Sequence, residues 1–241
     1  MVEMQEKHEA VLVGVDVGST TTKIAAMDEK SGQILYSSYD RHHAIQLDSV
    51  QTALEKLKEI LLGRKVRLIF TGSGARGIAD YLGVPFIQEV VANSIALKRD
   101  YPQVRTAIEL GGQDAKMIFF RRDQETGALQ VADMRMNGSC AGGTGAFIDE
   151  IASLLRTPVE KFHELAAKGK TVYDISGRCG VYAKTDIQPL LNQGVSLQDI
   201  ALSSYHAIAK QTIGGLAQGL DIEKPVAETI QAIEFGQRAQ D

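Results

Sequence analysis

The chain has 241 residues, of which 44% are hydrophobic and 23% are charged, a composition typical of a globular protein with a sizeable core. Its formal net charge of −4 argues against a nucleic-acid partner, because nucleic acids bind cationic surfaces. No apolar stretch approaches the roughly 18 residues of a membrane span. Two cysteines do not make a disulfide framework, so we predict a cytoplasmic protein with no membrane association.

The N-terminal part of the chain alternates between strand and helix patterns. Residues 10–18, AVLVGVDVG, form an apolar run that ends at glycine, as a buried strand does where it enters a turn. Residues 22–28 and 33–41 complete a three-stranded meander. Apolar residues at helical spacing then predict a helix over 48–63. Further strands are predicted at 66–74 and 84–88, and further helices at 75–83 and 90–101.

The pattern of the opening segment begins again at residue 104. A strand that runs into glycines and an acid is followed by two more strands, AKMIFFRR and GALQVADMRM. This internal repeat predicts two similar lobes that face each other across a cleft. We predict an N-terminal lobe at 1–103, a C-terminal lobe at 104–222 and a divergent tail at 223–241. Helical periodicity in the second lobe covers 144–155, 158–168, 186–193 and 196–219.

The segment DVGSTTTK, Asp16 to Lys23, has the composition of a phosphate-binding turn. A glycine after a buried strand lets phosphate oxygens approach backbone N–H groups, hydroxyls can donate to them, and Asp16 can hold a hydrated Mg²⁺. The candidate phosphate ligands are Gly18, Ser19, Thr20, Thr21 and Lys23. The alternative is an ordinary hairpin turn with exposed threonines, and the spacing does not match the GxxxxGK[ST] loop.

A second turn of this kind lies in ELGGQDAK, residues 109–116. Gly111 and Gly112 are further candidate ligands to the cofactor, and Gln113 and Asp114 are candidate catalytic residues that orient a water and approach the metal. By itself this segment is also compatible with a hairpin. Two such turns at equivalent places in a duplicated fold favour phosphate binding in the cleft.

Both cysteines lie in glycine turns. Cys140 precedes Gly142, Gly143 and Thr144, which predict a turn into a helix N-terminus with Thr144 as a cap and free N–H groups that stabilise anions and a thiolate. Cys179 follows in SGRCGVYAKTD. An inert buried thiol or a disulfide is the alternative for each. Buried thiols usually lie inside apolar helices or strands, however, and neither cysteine does.

The two cysteines are half of a metal site. Zinc and iron–sulfur sites prefer four protein ligands, and the histidines lie outside both glycine turns. We interpret His42 and His43 as solvent-facing strand residues. A two-fold axis supplies each ligand twice, so Cys140 and Cys179 from two chains would make a site with four cysteines.

Four segments together resemble one known family: GVDVGSTTTK, ELGGQDAK, MNGSCAGGTGAF and GRCGVYAKTD. The chain is similar, from about residue 10 to residue 222, to the ATPase activators of 2-hydroxyacyl-CoA dehydratases and the related benzoyl-CoA reductase subunits. The resemblance implies a duplicated α/β fold of the actin/hexokinase/Hsp70 type, with two RNase H-like lobes around a nucleotide cleft.

The resemblance also implies the cofactors and partners. It implies a homodimer that holds one [4Fe-4S] cluster through Cys140 and Cys179 of each chain, and that binds ATP or ADP with Mg²⁺ at the two glycine turns. Its activity would be ATP-driven transfer of one electron. The electron would come from a low-potential ferredoxin or flavodoxin and pass to an iron–sulfur dehydratase or reductase component.

The C-terminal segment departs from the family pattern. Family members continue past the TIGGLAQGL helix with a strand and a Gly-Gly turn that holds the adenosine, whereas DIEKPVAETIQAIEFGQRAQD has Gly236 alone. The sequence therefore predicts either a fragment of a longer protein or an incomplete nucleotide site. Two rival functions stay open, a small-molecule kinase on this fold and a degenerate binding module that hydrolyses no ATP.

Overall fold

The computed structural model describes residues 10–137 and 142–230. This part of the chain folds into two compact units, and the division falls between Arg99 and Asp100. No helix within the described ranges is both long and apolar enough to cross a membrane. The lobe and tail boundaries given above stay predictions.

Each unit contains a four-stranded sheet. The strands are β1 Val11–Val17, β2 Thr21–Asp28, β3 Ile34–Arg41, β4 Val66–Thr71, β5 Thr106–Leu110, β6 Ala115–Arg122, β7 Leu129–Met136 and β8 Val226–Ile230. The first sheet has the order β3-β2-β1-β4 and the second the order β7-β6-β5-β8. In both, the first strand pairs antiparallel with the second and parallel with the fourth. The predicted internal repeat is therefore confirmed at the level of topology.

The hairpins of the two sheets repeat each other in detail. In DEKSG, the Asp28 carboxylate accepts hydrogen bonds from the N–H and hydroxyl of Ser31, both at 2.8 Å. In DQETG, the Asp123 carboxylate accepts the same two bonds from Thr126, again at 2.8 Å. Each turn ends at a glycine with positive φ, 72° at Gly32 and 67° at Gly127, a conformation that glycine adopts without strain.

The helices are α1 Gln46–Lys56, α2 Lys58–Leu61, α3 Arg76–Leu82, α4 Glu89–Asp100, α5 Gly145–Leu154, α6 Phe162–Ala166, α7 Gly180–Asn192 and α8 Leu197–Leu216, with a short 3₁₀ turn at Val159–Lys161. In the first unit, alternate residues of β1 from Val11 to Val17 are buried and form a core with Val50 of α1 and Ile78 of α3. In the second, α5 to α8 enclose a helical core around Phe147, Phe162 and Ile187.

The second unit departs from the sequence prediction at two elements. Helix α7 begins at Gly180 rather than near residue 186, because its buried positions Gly180, Ala183 and Ile187 include two small residues that give a weak apolar pattern. Strand β8 lies within the segment predicted as a divergent tail and pairs parallel with β5 from Val226 to Ile230.

The first unit departs at one element. Residues 84–88, predicted as a strand, contribute an isolated bridge between Phe86 and Phe70. Pro85 in this segment has no N–H to donate to a strand ladder.

Candidate functional site

The first glycine turn joins β1 to β2 and begins with an ion pair. Asp16 and Lys23 are direct partners in the antiparallel register, and the lysine Nζ lies 2.7 Å from Asp16 Oδ2. Between them, the Gly18 N–H donates to the Thr21 carbonyl at 2.9 Å. Ser19 and Thr20 are half-buried at the tip. The turn thus brings a carboxylate, a lysine and the glycine backbone together.

The second oxygen of Asp16, Oδ1, is buried and lacks a hydrogen-bond partner among the described residues. Gly72, with φ +99°, passes so close that a Cβ there would overlap Asp16 Oδ1 and the Val17 carbonyl. A buried carboxylate oxygen without a partner is costly, and a hydrated cation would offset that cost. The residues present therefore fit the predicted Mg²⁺.

Packing within the chain does not require a glycine at position 18. Its φ does not lie in the left-handed region, and the nearest atom to a Cβ built there is the Thr21 carbonyl oxygen at an ordinary 3.6 Å. A glycine that the fold does not need is typical of a place where a ligand approaches the backbone.

Two threonines that follow the tip are more buried than the hairpin alternative implies. Thr21 is 2% exposed and Thr22 is 1% exposed, and neither hydroxyl has a partner among the described residues. Thr21 was expected to face the phosphates. Its role there stays a prediction.

The second glycine turn joins β5 to β6 with the same plan. Glu109 pairs with Lys116 in the register, and the Gly111 N–H donates to the Asp114 carbonyl at 2.7 Å. Lys116 Nζ lies 3.2 Å from Glu109 Oε1 and 3.2 Å from Asp114 Oδ2. The side chains of Lys116 and Glu109 are each only 5% exposed.

The duplication identifies two residues that the sequence analysis missed. Glu109 occupies the place of Asp16, and Lys116 the place of Lys23, because each acid precedes its lysine by 7 residues. This shared spacing was the signal that could have found them. Asp114 instead occupies the place of Thr21, with 39% of its side chain exposed, and Gln113 beside it is exposed. The catalytic roles of these two residues stay predictions.

Helix α5 rests on the second turn. The N–H groups of Gly145 and Ala146 donate to the carbonyls of Gly111 and Gly112 at 2.9 and 2.8 Å. Thr144 is the N-cap residue but its side chain makes no cap hydrogen bond. The prediction of free N–H donors at this helix start is therefore wrong at Gly145 and Ala146, because the turn already supplies their acceptors.

Cys140 lies outside the described residues, and Cys179 lies at the N-cap of α7. Cys179 is half-buried and forms no disulfide. Gly142 packs against the residues before Cys179, since a Cβ on Gly142 would overlap the Arg178 carbonyl. Gly143, with φ +79°, accepts a hydrogen bond from the Thr212 hydroxyl of α8 at 3.3 Å. The chain that follows Cys140 therefore lies against the chain that precedes Cys179.

Residues 170–177, which lead to Cys179, are hydrogen-bonded to and packed against α8. The Asp199 carboxylate accepts the N–H groups of Lys170 and Thr171 at 2.7 and 3.0 Å. These bonds, the first from Lys170, lower the pKa of Asp199 below its usual value. Further along, the Ser203 hydroxyl accepts the Tyr173 N–H at 2.9 Å, and Gly177 lies against the Ala207 carbonyl.

Glu150 of α5 approaches the first turn of α7. A Cβ on Gly180 would overlap its carboxylate, which also pairs with Lys184 at 2.7 Å. A carboxylate at this end of a helix stabilises it, because the helix N-terminus carries partial positive charge. Within residues 10–137 and 142–230, no three histidine, cysteine, aspartate or glutamate residues group as metal ligands.

The interpretation of His42 as solvent-facing is wrong. It is 4% exposed, and its Nε2 lies 3.1 Å from the Gly18 carbonyl oxygen. The ring is buried because β3 ends beside the first glycine turn, where the His42 N–H donates to the Thr20 carbonyl at 3.2 Å. His43 is exposed, as expected.

Comparison with known proteins gives a consistent result. The sequence profile of the BadF/BadG/BcrA/BcrD ATPase family matches residues 13–230. The activating ATPase of (R)-2-hydroxyglutaryl-CoA dehydratase from Acidaminococcus fermentans is 29% identical over 219 residues, which are 90% of this chain and 81% of that protein. The activator of lactoyl-CoA dehydratase from Anaerotignum propionicum is 29% identical over 218 residues, with the same two coverages of 90% and 81%.

A solved structure agrees with these sequence relatives. The crystal structure of component A of the Acidaminococcus fermentans (R)-2-hydroxyglutaryl-CoA dehydratase superimposes with a TM-score of 0.78 at 28% identity, covering 92% of this chain and 83% of that one. The predicted fold class, a duplicated α/β fold of the actin-like ATPase type, is confirmed, and so is the predicted family resemblance.

Proposed function

Since the chain belongs to the BadF/BadG/BcrA/BcrD ATPase family, we propose that it binds and hydrolyses ATP to drive the transfer of one electron to an iron–sulfur dehydratase or reductase component. The observation that carries this proposal is the duplicated unit of acid, glycine turn and lysine. Asp16 with Lys23 and Glu109 with Lys116 are held in the same register, around turns closed by the same backbone hydrogen bond.

The first turn has the chemistry of a phosphate and cation site. Lys23 supplies positive charge, Gly18 has no side chain to hinder a phosphate oxygen, and Asp16 Oδ1 lacks a partner among the described residues. Mg²⁺, when bound, would neutralise phosphate charge as the terminal phosphate leaves. In this proposal Asp16 holds the hydrated cation, and Gln113 and Asp114 orient the attacking water.

The second turn supplies the connection to the redox centre. Its glycine carbonyls accept the first N–H groups of α5, and the chain that leads into α5 packs against the residues before Cys179. A shift of this turn on nucleotide binding or hydrolysis would therefore be passed to the surroundings of Cys179 through direct contacts.

The thiols of Cys140 and Cys179 fit half of a [4Fe-4S] site. Cys179 is not shielded inside an apolar helix, and it is followed by Val181 and Tyr182, which are 66% and 65% exposed. Exposed apolar side chains beside the Cys179 thiol favour burial against a second copy of this chain, whose thiols would complete the ligand set. The bound cluster would store and pass one electron.

The proposed partners follow from this chemistry. A low-potential ferredoxin or flavodoxin supplies the electron. The named relatives suggest that this chain activates a 2-hydroxyacyl-CoA dehydratase, and service to a benzoyl-CoA reductase is the alternative that the sequence motifs imply. A cytoplasmic location belongs to the same proposal, because low-potential iron–sulfur chemistry requires a reducing compartment.

Anaerobic purification with iron and sulfide analysis tests the redox part. We expect about four irons per dimer, with the iron lost in Cys179→Ser and in Cys140→Ser. A colourless monomer that phosphorylates a small molecule would support the kinase instead, and a protein without iron or ATP turnover would support the degenerate binding module.

Gel filtration tests the proposed interface separately. Tyr182→Glu should give a monomer that retains no cluster, because a charge replaces an apolar contact beside Cys179. The matched control is Tyr81→Glu, at an 86% exposed tyrosine in the first unit, which should remain dimeric and loaded. Equal behaviour of the two variants would place the dimer contact elsewhere.

A further inference from the structure

The residue that follows the third strand of the first sheet contacts the glycine turn of that sheet. His42 follows β3, and its side chain reaches the Gly18 carbonyl of the first turn. We propose that His42 is a positioning residue that holds this turn in the shape that binds a nucleotide phosphate. This inference rests on the proposed nucleotide function.

The hydrogen bonds of His42 define its tautomer. Its Nδ1 accepts the Ala44 N–H at 3.1 Å, so this nitrogen carries no proton. Nε2 therefore carries the proton and donates it to the Gly18 carbonyl at 3.1 Å. With the backbone bond from His42 to Thr20, the residue holds the tip of the turn at two carbonyls.

The segment after His42 is strained in a way that keeps the ring in place. His43 and Ala44 have φ values of 46° and 66°, in the left-handed region that residues with a Cβ adopt at a cost. This conformation brings the Ala44 N–H to Nδ1 and the Ile45 N–H to the His42 carbonyl at 2.7 Å. Strain that fixes one side chain under a glycine turn is expected where the turn must keep one shape.

Gly18, the residue that the His42 ring contacts, also supports a positioning role. Gly18 has space for a Cβ and no left-handed φ, so the fold itself does not demand glycine there. A glycine loses more conformational freedom on ordering than any other residue. A hydrogen bond that restricts it before the ligand arrives reduces the entropy lost on binding.

The second turn is held differently. Asn137 exchanges two hydrogen bonds with Ala115, the first residue of β6, donating its own N–H to the Ala115 carbonyl at 3.0 Å while its side chain accepts in return. In the register of the two sheets, Ala115 occupies the place of Thr22, whose partner is Asp40. The contact of His42 therefore belongs to the first turn.

Equilibrium titration of the full chain with a fluorescent ADP analogue and Mg²⁺ tests the proposal, because it needs neither turnover nor the cluster. His42→Asn keeps an acceptor near the Nδ1 position and loses the donor to Gly18, so we expect about tenfold weaker binding. His42→Gln places an amide N–H near the Nε2 position and should restore most of the affinity. His163→Ala, at an exposed histidine of α6, is the control and should bind as wild type.

Unfolding midpoints measured in parallel distinguish a role of His42 in ADP binding from a role in stability alone. If both His42 variants lower the midpoint alike and neither changes ADP affinity, His42 is structural and the proposal is overturned. If the wild type itself binds no ADP, the proposed function fails and this inference fails with it.

Discussion

The two halves of the chain share a hairpin almost atom for atom, yet they differ at the glycine turns. In the first turn, the ion pair between Asp16 and Lys23 is 20% exposed on both sides, and one carboxylate oxygen lacks a partner among the described residues. In the second, Lys116 lies between two carboxylates with 5% exposure, and the turn carries the start of α5. The duplication thus preserved the hydrogen-bond pattern of the turn, while the burial of the ion pair and the contact with α5 differ between the two units.

The largest difference is expected between the two lysines. Lys116→Met removes the cation that faces the buried Glu109 carboxylate, which should cost about 3 kcal/mol of unfolding free energy. Lys23→Met removes a partly exposed partner and should cost about 1 kcal/mol or less. Urea denaturation of both variants measures the contrast. Equal losses would contradict the structural role of the second turn, and Lys116→Met with Glu109→Gln should recover part of the loss.

Substitutions at Gly142 and Gly18 should distinguish a glycine needed for packing from a glycine needed for ADP binding. Gly142→Ala places a Cβ onto the Arg178 carbonyl and should destabilise the protein by about 2 kcal/mol. Gly18→Ala places a Cβ at an ordinary contact distance of 3.6 Å from the Thr21 carbonyl oxygen, so stability should hold while ADP binding weakens about tenfold, because the methyl group blocks the phosphate approach. Thermal unfolding and ADP titration on both variants provide the test. Unchanged ADP affinity in Gly18→Ala would remove Gly18 from the site.

A proline substitution tests the hydrogen bonds between the second turn and the start of α5. Gly145→Pro removes the N–H that donates to the Gly111 carbonyl, while proline itself suits a first helical position. We expect a loss of about 1 kcal/mol of unfolding free energy together with weaker ADP binding. Leu197→Pro, at the first position of α8 after an extended N-cap, is the matched control. A loss of the same size in the control would show a general helix effect.

The smallest effect is expected at the shared hairpin, where the halves should respond alike. Hydrogen bonds, foremost from the Ser31 N–H, lower the pKa of Asp28, and those from the Thr126 N–H lower that of Asp123, both from a usual value of 3.8. Each carboxylate therefore stabilises the fold above pH 3.8, and the contribution disappears as pH falls through the lowered folded-state pKa. Unfolding free energies of Asp28→Asn and Asp123→Asn should fall below wild type at neutral pH and converge with it in acid. Unequal responses would show that the hairpins differ energetically despite their shared geometry.

The sequence was most informative where the interacting residues are close along the chain. The two glycine turns, the hairpins and the repeat are visible because antiparallel neighbours such as Asp16 and Lys23 are joined by a short turn, and their register follows from spacing. The same spacing relates Glu109 to Lys116, but Asp114 is the acid that lies inside the turn, and it was the residue predicted to be catalytic. Helix α7 was predicted too short because small residues form its buried face.

By itself, then, the sequence determined the duplicated α/β plan, the two turns and the glycine-flanked Cys179, since local spacing and hydrogen-bonding capacity suffice for these. Only the tertiary structure decided that His42 is buried beneath the first turn and that Gly142 packs on the chain before Cys179. These contacts join residues from separate elements, and their burial depends on how whole strands and helices pack, which no short-range pattern encodes.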